Sequence, residues 1–366
     1  MRGPITLLGA LTAITSTNAF AEWGVNLVQG VTSISNDIYD LHMIIFWVCV
    51  AIAVAVFGVM IYSIYTHRKS KGAVAANFHD NVKVELAWTI IPIIILVVMA
   101  IPATKVLIDI ENTEGAEMNV KITGHQWKWQ YDYPEEGISF VSNLAQSSRD
   151  AVNGDGKKPD NYLLEVDNPL VLPVDTRIRF LITSNDVIHN WWVPDFGVKQ
   201  DANPGFINDA WAKIDQIGTY RGQCAELCGK DHGFMPIVVD VVSKENYAKW
   251  VAKQQAQKAA IAASATQAWS KSDLMAKGKE VYNTNCASCH KIDGSGLPPV
   301  FPAMKGSKVA NGPAAEHTQI VLHGKSAMPA FKVLNDVDLA AVITYERNAF
   351  GNKGSVVQPS DIKSAR

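Results

Sequence analysis

Charge imbalance is the first thing this chain lacks. Its 33 Lys and Arg nearly cancel its 35 Asp and Glu, leaving a formal charge of −2 over 366 residues. Global electrostatics therefore point to no nucleic-acid partner. Cysteine is scarce as well, at five residues. Four of these form two closely spaced pairs, Cys224 with Cys228 and Cys286 with Cys289, and only Cys49 is left over. A lone cysteine in an apolar run is a small packing residue, and Cys49 is given no function. Asp, Glu, Lys and Arg are missing from Leu41–Tyr65 and from Leu86–Ala103. Runs of that length can cross a bilayer, which takes about 17–25 residues. Glycine and proline are absent from Lys244–Ser270, a stretch rich in Ala, Lys and Gln that reads as an exposed helix or semi-rigid linker. No internal repeat is present.

What remains divides into regions, since 366 residues exceed one ordinary domain. Residues 1–21 have a short basic start, a modest apolar stretch and a small-residue site at Asn18-Ala-Phe-Ala21, the layout of a secretory signal. Residues 22–110 hold two expected transmembrane helices, at about 41–65 and 86–104. His67, Arg68, Lys69 and Lys71 lie between them, a basic loop that belongs in the cytoplasm and sends everything after about residue 105 to the periplasm. Over 117–243 the pattern turns to short alternating runs, such as Met118–Thr123, Tyr162–Val166 and Thr176–Ile182, separated by Asn153-Gly-Asp-Gly and Asp167-Asn-Pro. Short strands with frequent turns predict a β-sandwich or barrel, with Pro236–Val242 as its last strand. Residues 244–272 form the linker. A compact unit over 273–352 has helical stretches at Asp273–Asn283 and Asp336–Phe350, and residues 353–366 read as a frayed, flexible tail.

The most informative segment is Cys224-Ala-Glu-Leu-Cys228-Gly-Lys-Asp-His232-Gly-Phe-Met235. Two thiols, an imidazole and a thioether suit copper rather than magnesium or calcium, and His189 can close the site from a neighbouring loop. A mononuclear blue-copper site uses one cysteine. Two bridging thiolates can instead hold a pair of copper ions, spreading one unpaired electron over both and reducing the geometric change on electron transfer. The competing readings are a periplasmic disulfide, which leaves His232, Met235 and His189 unexplained, and a zinc site, which the methionine and the β-rich context disfavour.

With these residues in place, the pattern resembles the binuclear copper site of cytochrome c oxidase subunit II, over about residues 25–243. The resemblance implies that His189, Cys224, Cys228, His232 and Met235 ligate copper through side chains. Glu226 would do so through its backbone carbonyl, while its carboxylate faces a magnesium or manganese ion at the boundary with subunit I. Gly124-His-Gln-Trp127-Lys-Trp129-Gln-Tyr131 is similar to the family's aromatic stretch, which makes Trp127 the residue that receives the electron. Trp129 and Tyr131 read as ordinary core aromatics. Val84-Glu85-Leu-Ala-Trp resembles the start of the second span, which places Glu85 at the mouth of a proton channel in subunit I. A first-turn carboxylate complementing the helix dipole is the plainer alternative. One departure is Phe206, where many members carry arginine, so that arginine's role is not transferred.

Cys286-Ala-Ser-Cys289-His290 is a C-x-x-C-H signature of c-type haem attachment. The two cysteines make thioether links and His290 takes the proximal iron position. Met328, in a Met-Pro loop before the last long helix, is the expected sixth ligand, with Met304 as the rival; a His/Met pair raises the haem potential. This region resembles a fused cytochrome c domain, and the combination matches caa-type oxidases. The expected architecture is a two-helix transmembrane hairpin, an all-β cupredoxin-like domain and an all-α cytochrome domain. The implied function is subunit II of a respiratory oxidase in the bacterial inner membrane, its copper and haem domains periplasmic. It would take electrons from a soluble or membrane-bound cytochrome c or a bc complex. Those electrons go to haem a of subunit I, alongside subunit III, for oxygen reduction coupled to proton translocation. Tethering raises the donor's effective concentration to the order of millimolar. The alternative is a membrane-anchored copper chaperone or thiol-disulfide protein, with one span and a thioredoxin-like fold; a nitrous-oxide-reductase-like carrier shares the copper loop but is soluble.

Overall fold

The computed structural model describes residues 26–366 except 78, 155 and 327, so the expected signal at 1–21 lies outside the described residues. Two long helices come first, α1 (Ser33–Thr66) and α2 (Val82–Glu111). They run beyond the expected spans because backbone hydrogen bonding continues past the apolar run to a proper cap. Thr32 and Ser35 form a reciprocal capping box on α1, and the Asn81 side chain caps α2. Their most apolar windows have mean hydropathies of 3.0 and 2.6 with none of the window residues buried. Apolar faces left open to the surroundings belong to lipid, not to the core of a soluble domain. Pro92 and Pro102 sit inside α2, as membrane helices tolerate.

Among the described residues ten strands follow: β1 (Met118–His125), β2 (Lys128–Tyr133), β3 (Ile138–Ser142), β4 (Leu170–Pro173), β5 (Arg177–Ser184), β6 (His189–Val193), β7 (Val198–Ala202), β8 (Asn208–Lys213), β9 (Gly218–Cys224) and β10 (Pro236–Val242), with α3 (Gln146–Asn153) after β3. They make two five-stranded sheets, β3-β2-β1-β5-β8 and β4-β10-β9-β6-β7. β1 runs parallel to β5 and β4 parallel to β10, and the other pairs are antiparallel. Alternation decides the faces: Ile178, Phe180 and Ile182 of β5 are buried while their neighbours are not. They meet Trp191, Val193, Ile237 and Val239 of the other sheet in one core, with the Phe180 and Trp191 rings 5.1 Å apart. Tyr162–Val166, expected as a strand, is instead a turn with one bridge from Val166 to Leu144. Leu163 takes φ +64 there, a left-handed conformation that breaks an extended run.

The sandwich is fastened to the membrane hairpin at both helix ends. Val31 N–H donates to Asp195 O at 2.9 Å, and Thr32 Oγ1 donates to Phe196 O at 2.9 Å. Trp211 Nε1 donates to Asp109 O at the end of α2, at 3.1 Å.

The remaining elements are α4 (Lys244–Ser264), α5 (Lys271–Asn285), α6 (Ala287–His290), α7 (Lys308–Asn311), α8 (Ala314–His323), α9 (Asp336–Asn348) and α10 (Pro359–Ala365). α4 is less exposed than its composition suggests. Tyr247, Trp250 and Val251 pack on the sandwich core, and Trp250 lies 5.1 Å from the Tyr133 ring. The flexible tail is a correction: Val357 and Ile362 are buried in the helical core, and Gln358 exchanges hydrogen bonds with the Trp269 backbone. Burial of those two apolar side chains offsets the entropy of ordering the terminus.

α5 crosses α9 closely at Gly278. A Cβ there would stand 2.1 Å from Ala341 O and 2.6 Å from Tyr345 Cβ. Gly278→Ala is expected to destabilise the helical unit by about 1–3 kcal/mol through overpacking. Denaturant-dependent amide exchange checks this: protection should fall in α5 and α9 and stay unchanged in β1–β10.

Candidate metal and haem centres

The copper-type loop hangs between β9, which ends at Cys224, and β10, which starts at Pro236. Strand pairing continues to the loop's neck, where Cys224 N–H donates to Met235 O at 3.1 Å. Ala225 N–H donates to Asn190 O at 3.1 Å, which draws the loop beside His189 at the start of β6. Within the loop Gly229 adopts φ +115, and a Cβ there would lie 3.1 Å from Gln126 Nε2 and 3.2 Å from Trp127. The glycine therefore supplies both a left-handed turn and room for two side chains.

The donor atoms converge. Cys224 Sγ and Cys228 Sγ are 3.8 Å apart, well beyond the roughly 2.05 Å of a disulfide, and both cysteines are free. His189 Nδ1 stands 3.9 Å from Cys224 Sγ, and His232 Nδ1 stands 3.5 Å from Cys228 Sγ. Each sulfur thus has its own imidazole, one at either side of the sulfur pair. The Glu226 carbonyl oxygen lies 3.4 Å from Cys224 Sγ while its side chain is exposed, and Met235 is buried beside them. The ligand atoms of His189, Cys224 and Cys228 all lie within 4.8 Å of one another. Soft sulfur and imidazole, mostly out of water, fit a copper pair.

Electrostatics favour a shared proton. The hydrogen bond from Cys228 brings the Cys224 thiol down to about 3, and the same bond pushes Cys228 well above the usual thiol range. Burial works against a charged His189, but its hydrogen bond to Asp186 wins and raises it. His189 Nε2 lies 2.8 Å from Asp186 Oδ1, which leaves Nδ1 facing the sulfur. Asp186 is in turn held by the Gln126 and Val187 amides, each at 2.7 Å. Gly124 makes space for this ring: a Cβ would stand 2.7 Å from His189 Cδ2.

Trp127 joins this site. Its Nε1 donates to Cys228 O at 3.1 Å, and Gln126 Nε2 donates to the same oxygen at 2.9 Å. Trp129 and Tyr131 are fully buried in the sandwich. Glu85 is not brought near; it lies exposed in the first turn of α2, most of a helix about 45 Å long away from the copper-type loop. Asp186, Gln126 and Lys128 are site neighbours that sequence reasoning missed. Only Asp186 left a signal, as a carboxylate three residues before a histidine.

In the helical unit, Cys286 caps α5 and Cys289 and His290 lie in α6. His290 is buried, and its Nδ1 is 2.8 Å from Pro302 O. Donation from Nδ1 leaves Nε2 as the free acceptor, the tautomer an iron ligand needs. Met304 lies two residues after Pro302, and its N–H donates to Gly294 O at 2.8 Å. Met328 sits in a separate bridge with Lys325 after α8. Both methionines pack against the helical core.

Three regions match known families. Residues 21–106 match the transmembrane domain of cytochrome c oxidase subunit II, and residues 118–242 match its periplasmic domain. Residues 273–345 match the family described as cytochrome c oxidase, cbb3-type, subunit III. A probable cytochrome c oxidase subunit 2 of Rickettsia bellii is 37% identical over 260 residues, covering 69% of this chain and 93% of the relative. Cytochrome c oxidase subunit 2 of Cereibacter sphaeroides is 37% identical over 242 residues, 62% of this chain and 79% of the relative. A crystal structure of the periplasmic domain of subunit II of cytochrome oxidase of Bradyrhizobium japonicum is 43% identical. It covers 40% of this chain and 98% of that one, at a TM-score of 0.36.

Asp186→Asn keeps the size of the group that orients His189 but removes its charge. Copper retention is expected to weaken by about 10–100-fold, measured by competition with a chelator, while amide exchange in the sandwich stays native.

Proposed function

This chain belongs to the cytochrome c oxidase subunit II family and carries a cytochrome c domain, and from that premise we propose its electron path. Haem c would be held by Cys286, Cys289, His290 and Met328, and would supply the one-electron acceptor for an external cytochrome c or bc complex. A copper pair would be held by His189, Cys224, Cys228, His232, Met235 and the Glu226 carbonyl, and would supply the relay from that haem to haem a of subunit I. The observation that carries the reading is the pair of free sulfurs 3.8 Å apart, each with its own imidazole.

When bound, the copper pair supplies reversible one-electron acceptance with the charge shared across both ions, and haem c supplies the one-electron centre before it. The chain's own residues do the rest. Asp186 fixes the tautomer and aim of His189. Burial of Cys224, Cys228 and Met235 excludes water, which limits reorganisation around the site. Trp127, bonded to the Cys228 carbonyl, gives a short path from the surface to a ligand residue. The exposed Glu226 carboxylate is free to meet a magnesium or manganese ion at subunit I. Exposed Ile188, Phe206, Ile207 and Leu227 support docking of this end on subunit I. Glu85, at the opposite end of α2, suits the mouth of a proton channel, and the complex is read as proton-translocating, with subunit III as a further partner. The hairpin sits in the bacterial inner membrane with both redox units in the periplasm. A copper chaperone of thioredoxin type is set aside because two five-stranded sheets and two apolar spans replace its fold and single anchor.

Two measurements test the reading. The purified full chain, loaded with haem and copper, should give a mixed-valence dicopper electron-paramagnetic-resonance signal beside low-spin haem c. Cys228→Ser should reduce the copper signal to a mononuclear pattern; a mononuclear or zinc-only site in the unaltered chain overturns the proposal. Met328→Leu should lower the haem potential and disturb the low-spin spectrum, whereas Met304→Leu should leave both in place.

A further inference from the structure

The copper-type loop and the C-x-x-C-H segment touch. Lys128, the residue after Trp127, is only 6% exposed. Its Nζ donates to Asn285 Oδ1 at 2.9 Å, next to Cys286, and lies 4.7 Å from the centroid of the Phe331 ring. Lys230, two residues after Cys228, donates through Nζ to Ser288 O at 2.7 Å, between Cys286 and Cys289. The seam between these contacts holds a cavity of about 20 Å³, lined by Trp127, Arg149, Asp231, Asn285 and Ser288 among others. That is room for little more than a single water. Two bridges therefore run from the cysteine pair of the helical unit to Cys228. One passes from Asn285 through Lys128 and Trp127 to the Cys228 carbonyl, and the other from Ser288 through Lys230 and Gly229.

We propose that Lys128 and Lys230 are docking residues that hold this chain's own Cys286–Cys289 segment against Trp127. The face through which the copper domain would receive a donor is thereby occupied in cis, and an external donor must deliver its electron to the helical unit instead. The proposal rests on the electron path given above and adds the surface, its occupant and the exclusion of other donors. The step is a single electron transfer: the haem iron goes from ferrous to ferric and the copper pair gains that electron. No bond is made or broken and no proton moves. A surface lysine alone would be weak evidence, but Lys128 is buried and spends its ammonium on a partner from another unit. A buried ammonium lacking that partner would carry a large desolvation cost.

The test uses the full chain in detergent, loaded with haem and copper, as the unaltered protein, Lys230→Met, Lys230→Arg and the double variant Lys128→Met/Lys230→Met. Amide exchange should show segments 126–130 and 284–289 protected in the unaltered chain. They should lose protection together in the double variant and keep it in Lys230→Arg. Photoinduced transfer from haem to copper should slow by about tenfold or more in the double variant, as expected for losing hydrogen bonds from charged donors. In the same variant, copper reduction by added soluble cytochrome c should become faster. The proposal is overturned if either segment exchanges freely in the unaltered chain, or if the double variant leaves protection and transfer rate unchanged. Where the double variant loses haem or copper, Lys230→Met decides, because its side chain is half exposed: unchanged transfer there overturns the proposal. Failure of the electron path itself would show differently, as missing haem or dicopper spectra in the unaltered chain.

Discussion

Two sulfur atoms buried 3.8 Å apart are the constraint on which the rest of the structure depends. Neither can carry a full charge next to the other without a cation or a shared proton. Holding them together therefore requires a rigid frame, and the β9–β10 hairpin provides it, closed at its neck by the Cys224–Met235 backbone bond. One imidazole, His232, belongs to the hairpin's own loop and the other, His189, comes from the start of β6, where Asp186 and Gly124 aim it. The sandwich is the support that brings the ligand atoms of His189, Cys224 and Cys228 within 4.8 Å of one another. Support from strands is stiffer than support from loops, which suits a site whose geometry must change little when its charge changes.

Much of this was legible in the sequence because the chemistry is local there. Cys224 to Met235 lie in one short segment, as do Cys286 to His290, and the two apolar runs stand out by composition alone. The fold class followed from alternation at Met118–Thr123 and Thr176–Ile182. Alternation misled at Tyr162–Val166, where Leu163 turns left-handed and only Val166 pairs. The chain past residue 352 looked unstructured because its composition is polar. Two apolar residues, Val357 and Ile362, are enough to seat it. Nothing local marks the contacts that Gln126, Lys128 and Lys230 make, since their partners lie about 60 to 160 residues away. Contacts at such separations are set by topology, which a single sequence reveals only through motifs.

The two redox units also differ in how they are built. The copper-type loop is preformed by strand pairing and needs few residues of its own. The haem-type segment is short helix and loop, and its order rests on contacts such as His290 with Pro302 and the α5–α9 crossing at Gly278. A site assembled this way depends more on packing around it.

α4 carries a consequence of a different kind. Because Tyr247, Trp250 and Val251 seat this helix on the sandwich core, and Lys258 reaches Gly137 O at 2.7 Å, the connection behaves as a strut and not as a leash. On the proposed electron path, transfer between the two units is then a first-order event. Its rate is independent of how dilute the enzyme is in the membrane and of how crowded the periplasm becomes. On that path, salt and collision frequency would govern only the step before it, so the supply of reduced donor would set the pace of electron intake and the protein the pace of everything after.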